Sequence, residues 1–353
     1  MPPAVVLVTG VSRHLGGRLA ALLADDPSIE RIIGVDTIPP PRELTAGRTE
    51  FVRADIRNPL IAKVIATAAV DTVVHLNITA LPRGAGGRAS MKEMNVIGTM
   101  QLLAACQKSA SVQRLVVKSS TAVYGSSSRD PALFTEEMEP RSLPRSGYAK
   151  DAVEVEGYVR GFARRRPDVS VGVLRFTDVI GPGADSPLLR YLQLPVVPTV
   201  LGFDPRVQLL HADDALAVLH RATRSDRAGT VNVGGAGVLL LSQMVRRAGR
   251  VPVPVPAPVM RVAGAAVRRA GLLDPSREQL EFLEFGRAVD TTRLRTEFGY
   301  TPRYDTMQAF DDVLAQRGLA TRVPPAAVRR TEAAVLGTVR AVAAAVPAGV
   351  HRG

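Results

Sequence analysis

The feature that most constrains the fold is a regular alternation of short apolar segments with amphipathic ones. The apolar segments are AVVLVT (4–9), RIIGVD (31–36), EFVRAD (50–55), DTVVHL (71–76), VQRLVVKSS (112–120) and VSVGVLRF (169–176). Short runs rich in Val, Ile and Leu predict strands that are buried on both faces. The segments between them carry apolar residues at intervals of three and four, which predicts helices. The sequence therefore predicts an α/β fold: a Rossmann-type, doubly wound parallel sheet that binds ligands at the carboxyl ends of its strands.

The pattern loosens after residue 180, where proline clusters appear at 195–199 and 251–258. This change predicts a second, smaller and mainly helical lobe, while TVNVGG (230–235) predicts one more strand of the main sheet. We therefore divide the chain into a dinucleotide-binding domain (1–180, with 207–235 returning to it), a substrate lobe (181–206 and 236–323) and a basic, Ala-rich C-terminal tail (324–353).

Composition narrows the function classes. The chain has 353 residues, a net charge of +12 and one cysteine, Cys106, which excludes a disulfide framework. Aromatic residues make up 4% and no tryptophan is present, so we expect no dedicated nucleic-acid binding and interpret the basic charge as suited to an anionic small molecule.

The five histidines lack metal-ligand spacing, and we expect no metal site. No signal peptide or apolar run of about 18 residues is visible, so we expect no transmembrane segment and a cytoplasmic location.

The segment TGVSRHLGG (9–17) follows the first strand and opens the first helix. Gly10 can form the tight turn and Gly16 can bring the helix close to the sheet, while Arg13 occupies the middle position of a Gly-x-x-Gly-x-x-Gly pattern. Asp36 ends the second strand, 20 residues after Gly16, where a carboxylate binds ribose hydroxyls and repels a 2′-phosphate. We therefore predict NAD rather than NADP as the cofactor. The predicted cofactor-binding residues of this region are Gly10, Arg13, Leu15, Gly16 and Asp36.

Further motifs follow in order: ADIRNP (54–59), VVHLN (73–77), NVIGT (95–99), SSTAVYG (119–125), LRFTDVIGPG (174–183), LLHADDAL (209–216) and VDTTRLRTEFGYTP (289–302). Together with the glycine-rich loop they resemble the extended short-chain dehydrogenases/reductases of the NAD-dependent epimerase/dehydratase family. The resemblance covers residues 4 to about 320. Within the family, the chain is most similar to actinobacterial proteins described as UDP-glucose 4-epimerases.

The resemblance implies roles for named residues. It places Asp55 and Ile56 beside the adenine ring, and His75, Leu76 and Asn77 on the nicotinamide side. It implies that Asn95 supports the central helix. Ser120 matches the serine that binds the substrate hydroxyl, and Lys150 matches the lysine that holds the nicotinamide ribose and lowers the pKa of the catalytic tyrosine. The same resemblance implies that Arg287 and Arg206 bind a substrate diphosphate.

The segment RSGYAKD (145–151) departs from this pattern. Counting back four residues from Lys150 gives Ser146, whereas Tyr148 is two residues away, on nearly the opposite side of a helix. A serine hydroxyl is a much poorer acid–base group than a phenol near an ammonium. Three interpretations stay open: Tyr148 reaches Ser120 from a non-helical start, Tyr124 supplies the phenol, or both tyrosines only pack.

Two functions follow. The first is an NAD-dependent oxidoreductase or epimerase acting on a secondary hydroxyl of a nucleotide sugar, with Ser120, Tyr148 and Lys150 as catalytic residues. The alternative is a non-catalytic NAD-binding sensor or scaffold that has lost the catalytic tyrosine. The resemblance also implies a homodimer through the helices near 95–110 and 150–165.

Overall fold

The computed structural model describes residues 3–41, 48–81, 87–141, 143–194, 196–260 and 276–316. The strands are β1 Val5–Thr9, β2 Arg31–Asp36, β3 Thr49–Arg53, β4 Thr72–His75, β5 Arg114–Ser120, β6 Ser170–Phe176, β7 Asp178–Ile180, β8 Val196–Val200, β9 Arg206–Val207, β10 Leu209–His211, β11 Gly229–Val233, β12 Leu239–Leu240, β13 Val251–Val255 and β14 Gly286–Arg287. The predicted tail, 324–353, lies outside the described residues.

The helices connect these strands and flank them. They are α1 His14–Ala24, α2 Leu60–Thr67, α3 Gly87–Lys92, α4 Thr99–Lys108, α5 Gly147–Arg165, α6 Pro187–Leu192, α7 Ala212–Thr223, α8 Leu241–Arg247, α9 Arg277–Phe285, α10 Thr292–Thr296 and α11 Thr306–Gln316. A π-helical segment, Glu93–Gly98, joins α3 to α4, and a 3₁₀ turn, Thr121–Tyr124, follows β5. No helix among the described residues is long and apolar enough to cross a bilayer.

The main sheet has seven parallel strands in the order β3-β2-β1-β4-β5-β6-β11. The chain runs from β1 outward to β3 and then crosses back to β4, which creates the crevice at the carboxyl ends of β1 and β4 where such folds bind ligands. The predicted Rossmann-type α/β fold is confirmed, and the strand predicted at 230–235 is β11, at the edge beside β6.

Two apolar layers cover the two faces of the sheet. One packs α2, α4 and α5 against the sheet, and the other packs α1 and α7 against the opposite face. Strand β5 contributes to both layers by alternation: Leu115 and Val117 lie in the α5 layer, and Val116 lies in the α1 layer. The same alternation determines which side chains of this strand face the crevice.

The second lobe is less purely helical than predicted, because it also contains short strands. β12, β9 and β14 form one small sheet, and β13 pairs with β8 in parallel. Pro252 and Pro254 lack a backbone N–H, yet they fit a two-stranded sheet, in which each strand has a free edge. A third cluster of buried apolar side chains fills this lobe around Tyr191, Met244 and Phe310.

Candidate active site

The loop between β1 and α1 requires both of its predicted glycines. Gly10 has φ +79°, and a Cβ there would lie 3.3 Å from the backbone N of Asn77. A Cβ on Gly16 would lie 2.2 Å from the carbonyl oxygen of Gly10, so only glycine permits this approach of helix to loop. The first turn of α1 contains no acidic residue, and its N-cap, Arg13, makes no side-chain capping bond. The positive end of an 11-residue helix therefore faces the crevice, which suits a pyrophosphate.

Asp36 is held rigidly beside this loop. Its side chain is buried, and its Oδ2 accepts hydrogen bonds from the Ser12 backbone N (3.1 Å) and the Ser12 Oγ (2.5 Å). Its Oδ1 accepts a hydrogen bond from the backbone N of Thr37 at 2.8 Å. These bonds fix a carboxylate at the end of β2, next to the turn that contains Gly10.

Asp55 and Ile56 lie after β3. The Asp55 carboxylate pairs with Arg57 at 2.6 Å, and this partner holds the pKa of Asp55 below its usual value. Ile56 is buried against Gly98, where an added Cβ would lie 2.8 Å from the Ile56 Cδ1. Asp55 therefore already has a charged partner, and Ile56 packs under the π-helical segment.

His75, at the end of β4, links two threonines. Its Nδ1 lies 2.8 Å from the Thr9 Oγ1 and its Nε2 lies 2.8 Å from the Thr99 Oγ1. The Thr99 hydroxyl donates to the carbonyl of Asn95, so it accepts from His75, and the proton lies on Nε2. Burial lowers the pKa of His75 to about 3, which keeps the ring neutral. His75 fixes β4 against β1 and α4 and does not line the crevice, whereas the next residue, Leu76, does.

Asn95 stands at the centre of a buried polar network. Its Oδ1 accepts from the backbone N of Thr79 and its Nδ2 donates to the Thr79 carbonyl, both at 3.0 Å. The same Nδ2 donates to Asp151 at 3.2 Å, and Arg88 binds both oxygens of that carboxylate at 2.6 Å. Arg88 also donates to the carbonyl of Gly147 at 2.5 Å. The network ties the loop after β4 to the start of α5 through Asn95.

Tyr148 lies in the first turn of α5, and its position depends on Gly147 and Glu278. Gly147 has φ +67°, and a Cβ there would lie 2.2 Å from the Glu278 Oε2. The Glu278 Oε1 accepts from the backbone N of Ala149 at 3.0 Å, so a residue of α9 caps α5. Burial raises the pKa of Glu278 to about 7.

Ser120 and Tyr148 meet in one pocket. Burial raises the pKa of Tyr148 above its usual value, and the interaction of its phenol with the Ser120 side chain opposes that shift. The pocket lies in the crevice at the carboxyl ends of β1, β4, β5 and β6. Its lining includes the predicted residues Arg13, Leu15, Gly16, Leu76, Ser120 and Tyr148, and in addition Thr79, Lys118, Thr177 and Asp178. Arg13 crosses part of it and donates to the Thr79 Oγ1 at 3.0 Å.

Lys150 does not line this pocket. Its side chain is 44% exposed and its Nζ lies 3.7 Å from Glu154, one turn further along α5. Ser146 is the N-cap residue of α5 and does not line the pocket either. The pocket lysine is Lys118, which sequence reasoning missed. The signal was present: Lys118 stands two residues before Ser120 on a strand, so both side chains point to the same face.

Tyr124 has a packing position. It is buried, stacks on Phe134 with the ring centroids 4.6 Å apart, and donates to the Oδ1 of Asn232 at 2.8 Å. The Arg175 guanidinium donates to the same phenol oxygen at 2.7 Å. Tyr124 does not line the pocket, so the structure does not bring it to Ser120.

The two predicted substrate arginines differ in placement. Arg206 is exposed on β9. Arg287, on β14, donates to the carbonyl of Gly125 at 2.8 Å and lies over the ring of Phe282. Burial lowers the pKa of Arg287, opposed chiefly by the charges of Asp178 and Glu278. Its Nε is one of three buried side-chain atoms that lack a hydrogen-bond partner among the described residues, and the Oγ1 of Thr177 in the pocket is another.

The family model for the NAD dependent epimerase/dehydratase family matches residues 6–234, which span the sheet, the glycine-rich loop, Ser120 and Tyr148. The chain belongs to this family. It therefore belongs to a family of NAD-dependent enzymes, and the residues around its pocket fit a dinucleotide of that type.

The proteins that resemble this chain in sequence or in structure are consistent with its assignment to this family. An uncharacterised protein of Mycobacterium tuberculosis (strain ATCC 25618 / H37Rv) is 50% identical over 337 residues, which cover 95% of this chain and 90% of that protein. The UDP-glucose 4-epimerase of Thermotoga maritima, solved with UDP-glucose, matches 89% of this chain and 99% of its own with a TM-score of 0.69 and 18% identity. The UDP-glucuronic acid 4-epimerase of Bacillus cereus, solved with UDP-glucuronic acid and NAD, matches 88% of this chain and 99% of its own (TM-score 0.67, 19% identity). At these identities the solved epimerases share the fold of the family.

Proposed function

We propose that this protein is an NAD-dependent enzyme that oxidises or epimerises a secondary hydroxyl of a nucleotide sugar, with Ser120 and Tyr148 at the reacting oxygen. The observation that carries the proposal is that the side chains of Ser120 and Tyr148 interact in the crevice that the glycine-rich loop also lines. Two hydroxyls of different acidity at one point can bind one substrate oxygen and exchange its proton.

The chain's residues have distinct tasks in this proposal. Ser120 donates a hydrogen bond to the substrate oxygen and orients it. Tyr148, as phenolate, takes the proton of the substrate hydroxyl when the C–H bond breaks and returns it when the carbonyl is reduced. The bound dinucleotide supplies the hydride acceptor and donor. The Arg88–Asp151 pair and Glu278 hold the first turn of α5, so the phenol stays beside Ser120.

NAD is the proposed cofactor rather than NADP. Asp36 carries a fixed carboxylate at the end of β2, whose oxygens already accept bonds from Ser12 and Thr37. A 2′-phosphate placed against that carboxylate would be repelled, while ribose hydroxyls can donate to it. Arg13, His14, Leu15 and Gly16 belong to the proposed pyrophosphate site, where the positive helix end favours an anion.

An anionic substrate suits the far side of the pocket. The Thr177 Oγ1 is buried and lacks a partner within the described residues, and the Nε of Arg287 has the same property nearby in the second lobe. Buried polar atoms of this kind are normally hydrogen-bonded, so a ligand oxygen is the expected partner. The solved relatives that hold UDP-glucose or UDP-glucuronic acid support a nucleotide sugar as that ligand.

A homodimer is proposed through α4 and α5. These helices pack on each other. Three apolar side chains are exposed nearby: Ile97 (40%) in the π-helical segment before α4, Met100 (36%) on α4 and Tyr158 (41%) on α5. An apolar surface on two adjacent helices favours burial against a second copy. Sedimentation of the wild type and of a Tyr158→Arg variant tests this: we expect a dimer that the substitution weakens, and a monomeric wild type would refute it.

The function is tested by calorimetric titration of NAD and NADP, followed by UDP-sugar turnover. We expect tighter binding of NAD, and a Tyr148→Phe variant that binds NAD normally but loses about 10²- to 10⁴-fold in turnover. Ser120→Ala is the matched variant on the partner hydroxyl. Absence of binding of either dinucleotide would refute the proposal, and equal turnover by Tyr148→Phe would remove Tyr148 from it.

A further inference from the structure

We propose that Lys118, on strand β5, is a cation of the active site that binds the dinucleotide. It takes the dinucleotide-binding task that the resemblance implied for Lys150, a residue that the structure places outside the pocket. This inference rests on the proposed function, since it assigns a residue of the same site.

The position of Lys118 follows from strand alternation. On β5, Ser119 faces α5 and donates to Glu156 at 2.6 Å, whereas Lys118 and Ser120 face the crevice. Leu115 and Val117 lie with Ser119 on the α5 face. A cation is thus fixed on the strand that carries the substrate-orienting serine, two positions earlier.

Helix α5 contributes no lysine or arginine side chain to the pocket lining. Four residues after Tyr148, on the same face of α5, stands Ala152, which is buried against Tyr124 and Phe134. Lys150 pairs with Glu154 and is 44% exposed. The positive charge therefore comes from the sheet below the pocket instead of from the helix.

The surroundings of Lys118 leave its ammonium available to a ligand. Among the described residues its one hydrogen-bond acceptor is the carbonyl of Ile78, at 3.5 Å, and no carboxylate forms an ion pair with it. An ammonium has three donors, so a bound ligand can satisfy the others. Burial and the neighbouring charge of Arg13 lower the pKa of Lys118 to about 8, so the amine is still mostly protonated at neutral pH.

The test uses two readouts on the whole chain. NAD affinity is measured by calorimetry for the wild type, Lys118→Met, Lys118→Arg and Lys150→Met, with Lys63→Met, an exposed site on α2, as the matched control. The second readout is the pH dependence of that affinity between pH 7 and 9, the range in which an amine with a pKa of about 8 loses its proton.

We expect Lys118→Met to bind NAD about 10- to 100-fold more weakly, whereas Lys118→Arg retains most of the affinity and, unlike the wild type, does not lose it between pH 7 and 9. Lys63→Met should match the wild type. If Lys150→Met shows these losses and Lys118→Met does not, the inference is refuted while the proposed function stands. If the wild type binds no dinucleotide, the proposed function is refuted, and the inference that rests on it is refuted as well. Should Lys118→Met not fold, a Lys118→Arg variant whose NAD affinity is normal and constant between pH 7 and 9 supports the inference, and one that loses affinity contradicts it.

Discussion

The bidentate pair between Arg88 and Asp151 offers a sharp test of how the start of α5 is held. Asp151 is fully buried, with 0% of its side chain exposed, whereas the Arg88 side chain is 31% exposed. Removing one member of a buried ion pair typically costs about 3–5 kcal/mol, because the other charge stays buried without its partner. Since water reaches the arginine side, and Asn95 still donates to Asp151, we expect Arg88→Met to cost about 2–4 kcal/mol.

A matched pair exists on the surface. Arg31 also binds a carboxylate with two nitrogens, those of Glu50 at 2.9 Å, but both side chains are about half exposed (44% and 50%). Exposed pairs contribute about 0–1 kcal/mol, so Arg31→Met should change stability little. The two substitutions remove the same group and the same number of hydrogen bonds to a carboxylate. They differ in the burial of that carboxylate and in the additional bond from Arg88 to the carbonyl of Gly147.

The measurement is urea unfolding followed by circular dichroism, since the chain has no tryptophan for fluorescence. The double variant Arg88→Met/Asp151→Asn should recover part of the loss, because the buried carboxylate is then no longer charged. The reasoning is refuted if Arg88→Met destabilises the protein no more than Arg31→Met does.

Three further outcomes are expected. Because the folded-state pKa of Glu278 is raised to about 7, its contribution to stability is present below about pH 4.5 and is lost as the pH rises to 7. The free energy of unfolding should fall by about 1–2 kcal/mol over that range in the wild type, and denaturant titrations of Glu278→Gln should not show this loss. The pH dependence that His75 contributes to stability has the opposite sign. Its folded-state pKa is lowered to about 3, so the stabilisation that it provides above pH 6.5 is lost as the pH falls. In a His75→Gln variant, the free energy of unfolding should therefore fall by about 1–3 kcal/mol less between pH 6.5 and pH 4 than in the wild type. Gly147→Ala should cost about 2–4 kcal/mol, from the positive φ and from the displaced Glu278, and a thermal midpoint equal to that of the wild type would contradict this account.

Much of the fold could be predicted because its information is local. A run such as AVVLVT has the period and composition of a buried parallel strand, and TGVSRHLGG contains the glycines that its turn needs. The strands of the second lobe were harder to predict, since β9, β12 and β14 have two residues each and show no period. Their pairing depends on contacts with distant segments.

The site was harder to predict because its geometry depends on contacts that no spacing reveals. Counting from Lys150 assumed that the lysine marks the register of α5, and this gave Ser146 in place of a tyrosine. In the structure, Tyr148 is the residue beside Ser120, held partly by Glu278, which lies 129 positions from its partner Ala149. Lys118, by contrast, could have been found from the sequence, because the alternation of β5 places it on the face of Ser120.

The capping of α5 by Glu278 also has a consequence for communication between the two parts of the molecule. The acceptor for the Ala149 N–H comes from α9, in the lobe, so a ligand that shifts α9 changes how firmly the first turn of α5 is ordered. By thermodynamic reciprocity, whatever orders that turn also favours the matching position of α9, to the same extent. Glu278 thus links the position of α9 to the order of the helical turn that carries Tyr148.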